Sequence, residues 1–112
     1  MSLIPEYLVV GHVTWDVVSD GDLRPGGTAT YSALTAYGLG LRAAVLTSAD
    51  PAYPLFAQAP SITVHRLPAE RTTTFENVYL PRGRCQYVRD LAAPLAIDDL
   101  PEAWKDAAIV HL

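Results

Sequence analysis

The sequence predicts an α/β fold organised around a parallel sheet. Three observations point there: a β-branched run over residues 8–18 (LVVGHVTWDVV), a helical stretch beginning at Thr28, and a second apolar run over residues 43–47. Strand, helix and strand in that order imply a right-handed parallel crossover. The composition allows one core and no more. Of 112 residues, 50% are hydrophobic, 18% charged and 9% aromatic, which excludes bulk disorder and suits a single domain over residues 1–112. A chain this short buries roughly two-thirds of the surface its unfolded form exposes.

The elements follow in order. Residues 8–18 contain one glycine and fit no helical spacing, so they read as one strand. Residues 19–24 hold Asp20, Gly21 and Asp22 and read as a turn, after which Pro25, Gly26 and Gly27 interrupt any regular element. From Thr28 the helix formers Ala29, Ala33, Leu34 and Ala36 predict a helix capped by Thr28 and ended by Gly38 in the left-handed conformation. Its small side chains permit close approach to a sheet. Residues 43–47 form a buried strand, 51–60 a proline-punctuated connection, and 62–67 a third strand. Residues 72–80 and 84–88 flank the turn Pro81, Arg82, Gly83 and predict a hairpin with mixed polarity on both faces, as a partly exposed flap would have. Residues 98–106 predict a short helix around Trp104, and 108–112 a buried strand. That last strand is expected to belong to a larger whole.

Charge and cysteine usage exclude several classes. Eight Lys and Arg against twelve Asp and Glu give a net charge of −4, the wrong sign for a dedicated nucleic-acid binder. Five arginines lie between Arg66 and Arg89 with Tyr79 and Tyr87 among them, a pattern that a charged, edge-protecting hairpin explains without nucleic acid. Cys85 is the sole cysteine, so no intramolecular disulfide forms and a reducing compartment is expected. Residues 1–7 lack a secretory pattern and no run approaches a membrane span, so a soluble cytoplasmic protein without a membrane partner is expected. His65 and His111 sit in apolar strand runs and read as satisfied core histidines, and Cys85 as a packing residue.

Two constellations carry chemistry. Strand alternation sets His12, Thr14 and Asp16 on one face and Val9, Val13, Trp15 and Val17 on the other. A carboxylate there either opens a solvated turn or sits at the crevice beyond the strand ends, where it would accept hydrogen bonds from ligand hydroxyls. Asp16 is the leading candidate. Gly26 and Gly27 precede a helix whose free N–H groups can meet ligand oxygens, although such a pair also serves as a plain tight turn. Gly38, Gly40 and Ala43 spell G-x-G-x-x-A, but a helix precedes them and a strand follows, the reverse of a dinucleotide site. No G-x-x-x-x-G-K-[ST] loop is present.

Taken together, VVGHVTWDVV, RPGGTATYSALTAYGLGLRAAVLTSAD, TTTFENVYLPRGRCQYV and DAAIVHL resemble the amino-terminal part of ribokinase-like, PfkB-type carbohydrate kinases. The resemblance implies a Rossmann-type parallel sheet with a small β lid from about residues 14–24 and 72–89, incomplete at its C-terminal end. It implies that Asp16 binds substrate hydroxyls and that Gly26 and Gly27 line the sugar pocket, with His12, Thr14 and Tyr31 beside them. It also implies ATP and Mg²⁺, held by residues beyond this segment. Three departures accompany it. Tyr31 stands where many members have asparagine, the loop over residues 48–54 lacks the usual glycines, and the catalytic G-x-G-D has no counterpart; Asp22 in SDGD lies in a turn with no helix directly after it. The expected function is ATP-dependent phosphorylation of a sugar, polyol or nucleoside-like hydroxyl, with this chain carrying the acceptor side, inactive alone and possessing no catalytic residue. The alternative is a non-catalytic sugar-binding or oligomerisation module, with a homodimer formed through the β lid.

Overall fold

The structure, a computed structural model, describes residues 4–112. In chain order it contains β1 (Tyr7–Val10), β2 (Thr14–Val17), β3 (Leu23–Gly26), α1 (Thr28–Gly38), β4 (Ala43–Ala49), β5 (Thr63–Pro68), β6 (Thr74–Leu80), β7 (Gly83–Asp90) and β8 (Ile109–His111). These form two sheets. The first is parallel, in the order β5-β4-β1-β8, and the second has the order β3-β2-β6-β7. In the second sheet β2 and β6 run parallel, while β3 and β7 return antiparallel at its edges. The mixed α/β class and the small second sheet accord with the sequence reading.

α1 covers one face of the first sheet, where Ala29, Ala33 and Ala36 meet Val9 and Val45 with almost no exposure. Side chains this small let the helix axis approach the strands. On the other face Leu8, Ala44 and Leu46 pack against Trp104. Every residue of β4 is buried, because β4 lies between β1 and β5 with both faces covered. No helix among the described residues is long and apolar enough to cross a membrane.

Several expectations need correction. Residues 8–18 are two strands in two sheets, since β1 ends at Val10 and the chain crosses to the second sheet through residues 11–13. The Val13 N–H donates to the Thr47 hydroxyl at 3.0 Å, which fixes that crossing. Residues 23–26 are a strand despite Pro25, and β3 tolerates the proline because it is an edge strand. The N-cap of α1 is Gly27, with no side-chain cap from Thr28. At the other end Gly38 is still helical and Gly40 takes the positive φ of 82°. The Leu41 N–H reaches the Ala36 carbonyl and the Gly40 N–H the Tyr37 carbonyl, the double closure of a Schellman ending.

The 98–106 helix resolves into 3-10 turns, Ile97–Asp99 and Glu102–Asp106, because Pro101 interrupts it. β8 is half-exposed, since it is an edge strand of its sheet. His111 is accordingly outside the core, bonded through Nδ1 to the Tyr7 hydroxyl at 2.7 Å. His65, on the opposite edge strand, is exposed and meets Trp104 edge-on at 6.3 Å. Cys85 is half-buried on β7, opposite Val78. Two of these arginines are engaged at the surface: Arg71 pairs with Asp90 at 3.0 Å, and Arg89 pairs with Glu76 and lies over the Tyr87 ring. Exposed pairs like these are screened by water and salt, so they shape the surface more than they stabilise it.

Candidate ligand-binding site

The site begins where β1 ends. There the chain leaves the first sheet, and the second sheet stands over the carboxyl end of β1 across a cavity of about 950 Å³. The cavity wall includes Gly11 from the crossing, Thr14 and Asp16 from β2, Gly27 and Tyr31 from the start of α1, and Asn77 from β6. Asp16 therefore belongs to the second sheet, opposite the end of the first strand, and is not part of that strand.

Asp16 and the glycine pair are brought together by strand register. β2 and β3 place Thr14 opposite Gly26 and Asp16 opposite Arg24, so Gly26 lies diagonally across from the carboxylate on the same face. A Cβ built on Gly26 would stand 2.1 Å from Asp16 Oδ2. Gly27 has φ 87°, and a Cβ there would stand 2.9 Å from Thr14 Cγ2 and 3.0 Å from the His12 carbonyl oxygen. Both positions thus require the missing side chain, Gly26 for space and Gly27 for space and backbone conformation.

The Thr14 hydroxyl donates to Asp16 Oδ1 at 3.0 Å, which fixes the carboxylate and leaves Oδ2 toward the glycines. The bend itself is held from behind. Thr30 donates its hydroxyl proton to the Gly26 carbonyl at 2.6 Å, and the Tyr53 hydroxyl donates to the Thr14 carbonyl at 2.9 Å. Tyr53 also packs against Trp15 at 4.7 Å between ring centroids. Burial pushes the Tyr53 phenol above its ordinary pKa, so it remains a proton donor at neutral pH. None of the sequence signals singled out Thr30 or Tyr53. Thr30 was hidden within a helical run, and Tyr53 arrives from an irregular connection.

His12 reaches across the cavity, with Nε2 2.8 Å from the Ala93 carbonyl oxygen, and so ties the segment after β7 to the crossing. Its Nε2 is committed to that bond. Tyr31 is 60% exposed at the cavity rim, on the first turn of α1. Farther back, Asp50 joins the loop after β4 to the start of β6. Its Oδ2 accepts the Thr72 hydroxyl proton at 2.7 Å, and its backbone N–H donates to the same Thr72 oxygen at 3.0 Å. The Thr72 bond, aided by the Ala52 N–H, holds the Asp50 carboxyl below the ordinary carboxylate range against the opposing effect of burial.

Among the described residues no group of three His, Cys, Asp or Glu side chains could hold a metal ion, and no phosphate-cradling G-x-x-x-x-G-K-[ST] loop is present. Among the described residues no Lys or Arg lines the cavity, and Asp16 is its one acidic side chain. The arrangement suits hydroxyl binding by a fixed acceptor, with backbone N–H groups of the α1 start alongside.

No family model matches the sequence, and no curated protein matches it significantly. Solved structures do. A pyrophosphate-dependent kinase in the ribokinase family, in complex with sulfate, is 30% identical with a TM-score of 0.71, covering 83% of this chain and 36% of its own. A pyrophosphate-dependent kinase in the ribokinase family, complexed with a pyrophosphate analog and myo-inositol, is 28% identical with a TM-score of 0.68, covering 83% of this chain and 35% of its own. Fructokinase from Vibrio cholerae O395, in apo form, shares the fold at 21% identity and a TM-score of 0.60, with 86% of this chain and 39% of its own covered. The chain therefore spans about a third of the length of these relatives. Over that span the chain shares the α/β fold of these ribokinase-family kinases and is similar to them in sequence.

Proposed function

We propose that this chain carries the acceptor-binding part of a kinase that transfers a phosphoryl group to a hydroxyl of a sugar, polyol or nucleoside-like alcohol. The observation behind this reading is the apposition of the Asp16 carboxylate and the Gly26–Gly27 bend, with Asp16 and Gly27 lining a cavity of about 950 Å³ and Gly26 buried behind them. The kinase neighbours, one of them complexed with myo-inositol, support it. In this reading residues 1–112 are the amino-terminal part of one kinase domain, and the β2–β3 and β6–β7 segments are its lid.

Each residue then has a role. Asp16 accepts hydrogen bonds from ligand hydroxyls, and Thr14 is its positioning residue. Gly26 and Gly27 let the ligand approach the backbone, while Tyr31 offers a phenol at the rim. His12 acts as a strut through Ala93, with only Nδ1 left to meet a ligand. A lining without Lys or Arg favours a neutral acceptor over a phosphorylated one. The donor is ATP or pyrophosphate with Mg²⁺, and this chain supplies the acceptor side of the transfer. A cytoplasmic location belongs to the same proposal.

Calorimetric titration of the 112-residue chain with myo-inositol, fructose, ribose and adenosine tests the acceptor role. Binding of at least one, lost on Asp16→Asn, is expected, with no turnover of ATP or pyrophosphate by this chain alone. No heat with any of the four overturns the proposal. One observation favours the non-catalytic alternative of a lid-mediated oligomer: Tyr79, Leu80 and Val88 are more than half exposed on one hairpin.

A further inference from the structure

His111 belongs to the cavity wall on the side of the first sheet. It stands at the carboxyl end of β8 and lines the same cavity as Asp16 and Gly27. Parallel pairing sets it beside Val9 of β1, on the face that α1 covers, since Val9 packs among the helix alanines. Thr28, Tyr31 and His111 also border a second hollow of about 590 Å³ between α1 and β8. Tyr7, two residues before Val9 and on the same face, reaches the imidazole. Its hydroxyl lies 2.7 Å from Nδ1, and the two rings meet edge-on at 6.1 Å. A hydroxyl proton given to Nδ1 requires the ring proton of a neutral imidazole to sit on Nε2. The two histidines that line the cavity differ at this atom. His12 commits Nε2 to the Ala93 carbonyl, whereas His111 is held at Nδ1, with Nε2 left for a ligand.

We infer that His111 is a specificity-determining residue of the acceptor site: Tyr7 locks the imidazole with its proton on Nε2, and that N–H donates to the ring oxygen of a bound cyclic sugar. This inference rests on the proposed acceptor site and supplies what Asp16 lacks. A carboxylate only accepts, so it reads ligand hydroxyls; an imidazole N–H only donates, so it reads oxygen lone pairs. The ring oxygen of a sugar has no proton to give Asp16, and His111 is its partner. The two groups come from different sheets, Asp16 from β2 and His111 from β8. A ligand bonded to both spans the cavity from one sheet to the other and has its orientation fixed. Tyr7 is the positioning residue. Without its hydroxyl the imidazole can carry its proton on either nitrogen, and the tautomer bare at Nε2 sets a lone pair against that of the ligand oxygen.

The test uses the 112-residue chain. Proton–nitrogen correlation spectra of the imidazoles in mildly alkaline buffer, with His111→Gln identifying the resonance, are expected to show His111 as the Nε2–H tautomer and Tyr7→Phe as a mixture of both. Calorimetry with ribose, fructose, adenosine and myo-inositol then compares the parent with His111→Phe and His111→Gln, and thermal melts establish which variants are folded. His111 lies on an edge strand, so His111→Gln keeps a folded comparison if His111→Phe does not fold. For ribose, fructose or adenosine, whichever the parent binds, His111→Phe should weaken affinity roughly five- to tenfold. His111→Gln, whose amide N–H stands in for Nε2–H, should recover most of that loss. A parent proton on Nδ1, unchanged affinity in folded His111→Phe, or binding of myo-inositol alone, which has no ring oxygen, overturns the role of His111 and leaves the Asp16 site standing. Absence of binding by the parent chain to all four probes overturns both together.

Discussion

Asp16 and Gly26 occupy each other's space: Oδ2 of the carboxylate lies 2.1 Å from where a Cβ on residue 26 would stand. The contact follows from the β2–β3 register, which aligns Thr14 with Gly26 and sets Asp16 diagonally across. A side chain at residue 26 must therefore displace the carboxylate, the softer of the two partners. Gly26 lies outside the positive-φ region, so alanine is acceptable to the backbone. Gly26→Ala is expected to reduce polyol affinity at least tenfold with a stability cost of about 1 kcal/mol, because the Asp16 side chain can rotate away. Calorimetry paired with a urea melt checks both halves, and retained affinity would mean that the carboxylate position is immaterial to binding.

Gly27→Ala should behave in the opposite proportion. Residue 27 has φ 87°, and its added Cβ meets the His12 carbonyl oxygen, a backbone atom that cannot swing aside. The cost is about 1–3 kcal/mol from the backbone conformation, before the contact is counted. A marked fall in melting temperature is expected. A melting temperature equal to that of Gly26→Ala would show that the bend relaxes more easily than its geometry implies.

Asp16→Asn keeps the shape and removes the charge. Hydrogen bonds to a charged acceptor contribute about 1.5–3 kcal/mol each, so one lost ligand bond amounts to roughly 10- to 100-fold in affinity. The Thr14 hydroxyl can still donate to the amide oxygen, and the melting temperature should remain nearly unchanged. A large loss of stability with intact binding would make Asp16 a structural residue.

The candidate pair, Asp16 and the glycines, was legible in the sequence because both halves rest on local features, a carboxylate in a β-branched run and glycines before a helix. β4 and α1 were legible for the same reason, since an unbroken apolar run and an alanine spacing are local signals. The split of residues 8–18 was not. Only Gly11 punctuates the run, and the crossing is fixed by the Thr47 hydroxyl, 34 residues away. β3 was hidden by Pro25 and the glycines, which spell a turn unless the strand is known to lie at an edge. Tyr53 was hidden because its partners, the Thr14 carbonyl and the Trp15 ring, come from a different element.

Thr47 anchors the crossing between the two sheets. It is fully buried on β4, and its hydroxyl oxygen accepts the Val13 N–H that holds the crossing between sheets. Thr47→Val conserves volume and strands that N–H, at a cost of about 1–3 kcal/mol. Thr47→Ser retains the acceptor and should recover most of the loss. Equal destabilisation by serine and valine in chemical melts would show that the methyl packing matters more than the hydrogen bond.

Acid should loosen the join between the β4 loop and β6 through Asp50. Its carboxyl is held below the ordinary value of 3.8, first by the Thr72 hydroxyl, so the folded state binds its proton more weakly than the unfolded state does. The unfolded chain therefore takes up the proton first as pH falls. The stabilisation is present in full above the unfolded value, and it is lost as pH falls through the lower folded value. Asp50→Asn removes this titration. Urea midpoints measured from pH 6 downward should fall more steeply below about pH 4 for the parent chain than for Asp50→Asn. Parallel curves for the two would show that Thr72 holds Asp50 no more firmly than water does.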